Sequence, residues 1–204
     1  MQTDPADPAH LTEIAYILDR SGSMQWMVEP AIAGFNQFLA EQCDAPGHAR
    51  LTLVLFDDQY EVPCRALPIA EVVGLDATTY VPRGTTALLD AIGRTIVELD
   101  ERLGRPADHD GPPARRGPGG DRPSRVIVAI FTDGLENASR RFDHHQIAEL
   151  IRHRREKHGW EFLFLAANQD AIATAARMGI DRSSAARVRS SSGGIHSSST
   201  GISR

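Results

Sequence analysis

The chain has 204 residues, of which 41% are hydrophobic and 24% are charged. This length suits one sizeable α/β domain and is short for two, and the composition is ordinary for a globular protein. The net charge of -5 argues against a nucleic acid as the ligand, because phosphate binding needs a basic face.

Nothing in the sequence indicates a membrane or an export route. No apolar run approaches the roughly 20 residues that a membrane span requires. Residues 1–10 are acidic and contain proline, unlike a secretory signal, and are taken as an N-terminal extension. Cys43 and Cys64 lie outside any CxxC spacing, so both are expected to be reduced thiols in or near the core. We expect a soluble, cytoplasmic protein.

Apolar runs and amphipathic stripes alternate along the chain. In chain order they predict a strand at Leu11–Leu18, a helix from Val28 to Cys43, strands at Arg50–Phe56 and Tyr60–Leu67, a helix from Leu88 to Leu103, a strand at Arg125–Phe131, a helix opened by a capping box of Asp143 and Gln146, a strand at Trp160–Ala166 and a last helix at Asp170–Met178.

The alternation of strands and helices predicts an α/β fold with a mostly parallel central sheet and helices on both faces. Arg125–Phe131 is almost entirely apolar, as expected for a strand that helices cover on both sides. Pro63 removes a ladder donor, so the strand at Tyr60–Leu67 is expected at an edge. Ligands of such sheets lie beyond the carboxyl ends of the strands.

Two stretches fall outside this pattern. The segment from Gly104 to Ser124 is rich in Gly, Pro, Asp and Arg, and it exceeds the usual connection of about 4–6 residues. It is predicted to be a flexible surface excursion. Residues 182–204 are dominated by Ser, Gly and Arg with no apolar face to bury, and are predicted to be a disordered tail. The folded domain is therefore expected to span residues 11–181.

A group of oxygen-bearing side chains follows the first strand directly. Asp19, Ser21 and Ser23 alternate along a turn, so their oxygens can converge on one point, and Gly22 supplies backbone freedom between them. Taken alone, this spacing is weak evidence, because each residue also has an ordinary role as a helix cap or turn former.

Two further segments add donors at the same edge of the sheet. Asp133 ends the buried strand Arg125–Phe131, within Thr-Asp-Gly, and the segment Arg83–Ile92 places a threonine at the start of a helix. Two carboxylates and three hydroxyls make an all-oxygen site for a hard cation. That chemistry suits Mg²⁺ or Mn²⁺ better than zinc, which prefers His and Cys.

With these residues in place, the sequence resembles the von Willebrand factor A family, which includes integrin I domains, over roughly residues 11–180. The family's metal-ion-dependent adhesion site reads Asp-x-Ser-x-Ser, then a Thr near Gly, then Thr-Asp-Gly. The matching positions are Asp19, Ser21, Ser23, Thr86 and Asp133. The resemblance implies a three-layer, Rossmann-like fold with one short antiparallel edge strand.

The resemblance also implies a function. In the family, Mg²⁺ keeps an open position, which a Glu or Asp carboxylate of a partner protein completes, and one aspartate contacts the ion through water. We therefore expect a protein-binding domain that docks an acidic side chain, with Mn²⁺ as a substitute metal. No enzymatic role, nucleic-acid partner or membrane partner is predicted. The sequence leaves the oligomeric state open.

The threonine ligand has two candidates. Family members commonly read Gly-Gly-Thr, then three residues, then a polar residue followed by Ala and an apolar residue. Counting back from Asp90, Ala91 and Ile92 favours Thr86 and places Thr85 where the second glycine usually stands. If the loop is turned by one residue, Thr85 is the ligand and Thr86 caps the helix.

Other classes of protein fit less well. Phosphohydrolases of the haloacid dehalogenase type also place an Asp after the first strand, but they need a second carboxylate two residues later, where this chain has Ser21. There is no GxxxxGK[ST] or GxSxG motif, and His144, His145 and His153 match no usual zinc spacing. The remaining alternative is a scaffold that keeps the fold with an idle site.

Overall fold

The computed structural model describes residues 11–104 and 123–180 and the backbone of residues 185–187. The predictions made for residues 1–10, for 105–122 and for most of the tail lie outside the described residues. Across the described ranges, no helix combines the length and the apolar character needed to cross a membrane.

The described residues form strands and helices close to the predicted ones. The strands are β1 (Leu11–Asp19), β2 (His48–Phe56), β3 (Tyr60–Pro68), β4 (Arg125–Thr132), β5 (Glu161–Ala166) and β6 (Ala185–Arg187). The α-helices are α1 (Val28–Asp44), α2 (Leu88–Leu103), α3 (His144–His158) and α4 (Gln169–Arg177). Short 3₁₀ helices span Gly22–Met27 and Ile69–Glu71.

The strands form one sheet in the order β3-β2-β1-β4-β5-β6. All neighbouring pairs are parallel except β2 and β3, which are antiparallel. The predicted fold class is therefore confirmed: a mostly parallel sheet with one antiparallel edge strand. Pro63 lies in that edge strand, where a missing backbone donor costs no hydrogen bond to a second neighbour.

The short strand β6 differs from the prediction that residues 182–204 form a disordered tail. Ala185 pairs with Phe164 and Arg187 with Ala166, so the segment extends the sheet beyond β5. Composition could not reveal this strand, because pairing at an open sheet edge uses backbone groups and needs no apolar side chains.

Two apolar clusters cover the two faces of the sheet, and alternate residues of β1 serve one or the other. Ile14, Tyr16 and Leu18 lie in the cluster that contains α1. Ala15 and Ile17 lie in the cluster that contains α2, α3 and α4. The sheet is thus a middle layer between helices, as the near-continuous apolar run of β1 requires.

Strand β1 lies between β2 and β4, and this arrangement decides where a ligand can lie. After β1 the chain passes to one face through α1, whereas after β4 it passes to the opposite face through α3. The chain therefore diverges at the carboxyl ends of β1 and β4, and such a switch point is where open α/β sheets bind ligands.

Two local predictions had different outcomes. The capping box of α3 is confirmed: Gln146 N donates to Asp143 Oδ1 at 2.8 Å, and Asp143 N donates to Gln146 Oε1 at 3.0 Å. Both cysteines are free thiols, but Cys43 is exposed and Cys64 is half-buried. The placement of Cys43 in or near the core was wrong, because it lies in the last turn of α1, beyond Leu39, the last buried residue of that helix.

Candidate metal centre

The loop after β1 brings Asp19, Ser21 and Ser23 together, as the spacing predicts. Ser21 N donates to Asp19 Oδ1 at 2.8 Å, and the hydroxyl oxygens of Ser21 and Ser23 are 3.1 Å apart. Asp19 and Ser21 are fully buried, whereas Ser23 is half-buried in the 3₁₀ helix that follows. The three side chains therefore form one polar group that opens toward solvent at Ser23.

Strand β4 brings Asp133 beside this loop. The hydroxyl of Thr132 donates to Asp19 Oδ2 at 2.6 Å, which joins the ends of β1 and β4. Gly134 has a φ of +87°, and a Cβ there would lie 2.2 Å from the Cα of Ala171, so only glycine fits. Asp133 is itself buried at this tight turn.

The structure distinguishes the two candidate threonines by burial. Thr86 is 1% exposed, and Thr85 is an exposed residue. Their loop is held against the β1 loop, because Gly22 N donates to Gly84 O at 3.2 Å. Gly84 has a φ of +65°, and a Cβ there would lie 2.1 Å from Asp58 Oδ1, so this approach also needs glycine.

The surroundings of Asp19 disfavour its ionised form. Burial raises the pKa of Asp19 to about 6, and the negative charge of Asp133 adds to the rise. Hydrogen bonds from Thr132 and Ser21 oppose it, because they stabilise the ionised form. Near neutral pH, Asp19 is thus an ionised carboxylate in an unfavourable environment.

The other buried acids of the described residues differ from this pair in one respect. Each contacts an arginine: Glu13 with Arg102 at 2.7 Å, Asp57 with Arg20 at 3.2 Å, and Asp100 with Arg154 at 2.5 Å. No ion pair found within residues 11–104 and 123–180 includes Asp19 or Asp133. Buried carboxylates need a compensating charge, so the pair fits a bound cation.

The donor set also indicates the kind of cation. In the part of the chain that the structure describes, no three His, Cys, Asp or Glu side chains lie close enough to hold a metal ion together. A metal at this site would need the hydroxyls as well as the carboxylates. An all-oxygen set of this kind fits Mg²⁺ or Mn²⁺ and not a zinc site of His and Cys.

Sequence reasoning missed the role of Arg20. Arg20 is 6% exposed, and its guanidinium lies 3.2 Å from Asp57 Oδ2 and 2.6 Å from Glu61 Oε1. Arg83 shares both acids, at 2.8 Å and 2.7 Å, and its backbone N donates to Arg20 O at 2.8 Å. The sequence held a signal for a separate role of Arg20, because alternate residues of the turn aim to one side and Arg20 stands between Asp19 and Ser21.

Two further supports of Asp19 were missed. The hydroxyl of Tyr80 donates to the backbone oxygen of Asp19 at 2.5 Å, and burial raises the pKa of Tyr80, which keeps it a donor. No sequence pattern near Tyr80 predicts this contact, which joins residues 61 positions apart. Thr132 had a signal, because it belongs to the Thr-Asp-Gly segment that identified Asp133.

Comparison by sequence gave no match to a family model or to a curated protein. Comparison by fold matches manganese-loaded TRAP protein of Plasmodium vivax (TM-score 0.58, 13% identity, 88% of this chain and 68% of that one). It also matches the ArnB paralog VWA2 of Sulfolobus acidocaldarius (0.52, 13%, 87% and 41%) and proximal thread matrix protein 1 of the mussel byssus (0.54, 15%, 89% and 42%).

These neighbours establish the class of fold. The chain folds as a von Willebrand factor A-type domain, with the Rossmann-like α/β architecture of that class. The match covers 42% of the mussel chain and 41% of the Sulfolobus chain, so this chain spans about two fifths of the length of each. A second structure of the mussel protein carries zinc in its MIDAS motif, with a TM-score of 0.53 to this chain. Divalent metals thus occur in proteins of this fold.

Proposed function

We propose that this chain is a metal-dependent protein-binding domain that docks an acidic side chain of a partner. The ion is Mg²⁺, with Mn²⁺ as a substitute, held by two carboxylates and three hydroxyls: Asp19, Ser21, Ser23, Thr86 and Asp133. The observation that carries the proposal is the burial of Asp19 and Asp133 side by side, without the arginine that accompanies the other buried acids.

The donor set leaves room for a partner ligand. Five protein side chains leave one position of an octahedral ion to be filled from outside. Three of the five are neutral hydroxyls, so the ion keeps a stronger attraction for an incoming anion than a site closed by carboxylates would have. A Glu or Asp carboxylate of the partner suits that position.

Exposed apolar side chains beside the site favour a protein as the partner. In a 3₁₀ helix, side chains three residues apart lie above one another. Met24 and Met27 form the buried column, and Ser23 and Trp26 form the outer one. Trp26 is 53% exposed, and Leu135, two residues after Asp133, is 45% exposed. Both lie close to the candidate ligands in the chain and offer apolar contact area.

The same geometry favours binding over catalysis. Ser21 stands two residues after Asp19, where a metal-dependent phosphohydrolase of the haloacid dehalogenase type needs a carboxylic acid, and its backbone N donates to Asp19. A serine hydroxyl at this position does not supply the carboxylic acid that such an enzyme uses as its general acid or base. We therefore expect no turnover of p-nitrophenyl phosphate with Mg²⁺.

Titration of Mg²⁺, Mn²⁺ and Zn²⁺ into wild type, Asp133→Ala and Asp44→Ala, followed by calorimetry, tests the site. Asp44 is an exposed acid at the end of α1 and serves as the matched control. We expect Asp133→Ala to lose metal binding and to unfold in EDTA at the same temperature as wild type. A preference for zinc by orders of magnitude, or unfolding of Asp133→Ala where wild type stays folded in EDTA, contradicts the proposal.

The partner itself is sought by affinity capture with wild type in Mg²⁺ and in EDTA, identified by mass spectrometry. Asp133→Ala in Mg²⁺ is the control bait. A specific partner should appear only with wild type in Mg²⁺, and loss of capture should follow mutation of an acidic residue on that partner. Capture that is equal in EDTA contradicts a metal-dependent mode of docking.

A further inference from the structure

The loop after β4 forms hydrogen bonds to both the backbone N and the backbone O of Thr86. Thr86 N donates to Asn137 Oδ1 at 2.9 Å. Asn137 N and Ala138 N both donate to Thr86 O at 3.1 Å. Asn137 thus accepts from and donates to the same residue, as a strand neighbour would. Thr86 directly precedes Ala87, the N-cap residue of α2. The start of α2 is therefore hydrogen-bonded to the loop that begins with Asp133.

The same loop continues along the start of α2. We name residues 136–142 the clasp. Leu89 N donates to Glu136 Oε2 at 2.9 Å, and Asp90 N donates to Ser139 Oγ at 3.0 Å. In return, the Asp90 carboxylate accepts from the backbone N of residues 140, 141 and 142, each at 2.9 Å. The clasp therefore satisfies donors of the first turn that have no partner within the helix.

Close packing supports these hydrogen bonds. A Cβ at Gly93 would lie 2.6 Å from the ring of Phe142, so the absence of a side chain at Gly93 lets the end of the clasp lie directly on α2. Ser139 Oγ also donates to Glu136 Oε2 at 2.7 Å, which fixes the carboxylate that faces Leu89. The clasp and the start of α2 form one hydrogen-bonded unit.

We infer that Asn137 is a positioning residue of the metal site, which holds Thr86 in register with Asp133. The inference rests on the proposed function. Asp133 and Asn137 belong to one loop, so bonds from Asn137 to Thr86 make two ligands from distant parts of the chain move together. A slip of one residue, which would bring Thr85 into the site, would break the bonds to Thr86 N and O.

The first test titrates Mg²⁺ into wild type, Asn137→Ala, Asn137→Asp and Asn36→Ala. Asn36 is the matched control, because its Oδ1 accepts from Leu75 N at 2.7 Å in the same way but touches no candidate ligand. Residues that orient metal ligands change metal affinity by roughly 10–100-fold. We expect Asn137→Ala to bind at least about tenfold more weakly, and Asn36→Ala to bind as wild type does.

Asn137→Asp separates positioning from general stability, because it keeps an acceptor oxygen for Thr86 N. It should bind Mg²⁺ at least as tightly as wild type. Wild-type affinity in Asn137→Ala overturns the inference while leaving the proposed function in place, and so does an equal loss in Asn36→Ala. If wild type binds neither Mg²⁺ nor Mn²⁺, the proposed function is wrong and the inference falls with it.

Amide hydrogen exchange on wild type decides the question if Asn137→Ala fails to fold. Once an ion bonds both loops, opening of the clasp must also break metal bonds. We expect Mg²⁺ to raise the protection of the amides of Thr86, Asn137 and Ala138 together, relative to EDTA. Protection of the Thr86 amide alone would show that the loops open independently, and would overturn the inference.

Discussion

The hydroxyl of Thr132 donates to Asp19 Oδ2 at 2.6 Å, and Thr132 Oγ1 accepts from Gly134 N at 3.0 Å. This bond joins the carboxyl ends of the two central strands at the point where the chain diverges to opposite faces of the sheet. It also lowers the pKa of Asp19 against the effect of burial. Thr132 therefore keeps Asp19 in the state that a cation requires.

Replacing Thr132 by valine removes this hydroxyl with little change of shape. We expect the pKa of Asp19 to rise further and the affinity for Mg²⁺ at pH 7 to fall by about tenfold, because the support of a ligand is lost. Calorimetry measures this. Thr52→Val is the matched control, since Thr52 Oγ1 accepts from Ala66 N at 3.0 Å away from the site. Unchanged affinity in Thr132→Val would show that Thr132 has no part in the site.

Metal binding should depend on pH through Asp19. Its pKa of about 6 in the metal-free protein means that Mg²⁺ must compete with a proton below that value. The affinity should be constant above about pH 7 and fall by about tenfold per unit below about pH 6. Titrations from pH 7.5 to 5 check this slope. An affinity that is the same at both ends would exclude Asp19 as a ligand.

The stability of the metal-free protein should show the opposite effect of the same group. Because folding raises the pKa of Asp19 from 3.8 to about 6, its contribution to stability is present below about pH 4 and is lost as the pH rises through about 6. In EDTA at pH 7, Asp19→Asn should be more stable than wild type by about 1–3 kcal/mol. Urea unfolding at pH 7 and pH 3.5 tests this, and the difference should shrink at the lower pH.

The two threonines should differ sharply on substitution by alanine. Thr86 is buried beside the β1 loop, whereas Thr85 is exposed. Thr86→Ala should weaken Mg²⁺ binding at least tenfold, which is about 1.4 kcal/mol, and Thr85→Ala should have little effect. Metal titration of both variants provides the measurement. A large loss in Thr85→Ala with little effect in Thr86→Ala would show that the loop is shifted by one residue and that Thr85 is the ligand.

The ion cluster behind the site should matter for stability. Asp57 is fully buried between Arg20 and Arg83, so Asp57→Ala leaves the buried Arg20 without one of its partners and should cost about 3–5 kcal/mol of unfolding free energy. The side chain of Arg83 is 48% exposed, and Arg83→Ala should cost less than about 1 kcal/mol. Urea unfolding in EDTA measures both, and equal losses would contradict the importance of burial here.

The sequence by itself determined the architecture of this protein. Apolar residues at a period of two or near 3.6 indicate which side of each segment is buried. This pattern is local, so it can be found in the sequence of each segment alone. It predicted β1 to β5 and the four helices. The order of Asp19, Ser21, Ser23, Thr86 and Asp133 at strand ends predicted a metal site, and the structure brings the loops that carry them to the same edge of the sheet.

Only the tertiary structure decided which groups support those side chains. Asn137 meets Thr86 across 51 residues, Tyr80 meets Asp19 across 61, and β6 adds to the sheet at β5. Each of these contacts involves backbone atoms, which every residue possesses, so they leave no periodic or compositional trace in the chain. Which groups pair in such bonds depends on which loops the fold brings side by side, and this is known only from the tertiary structure.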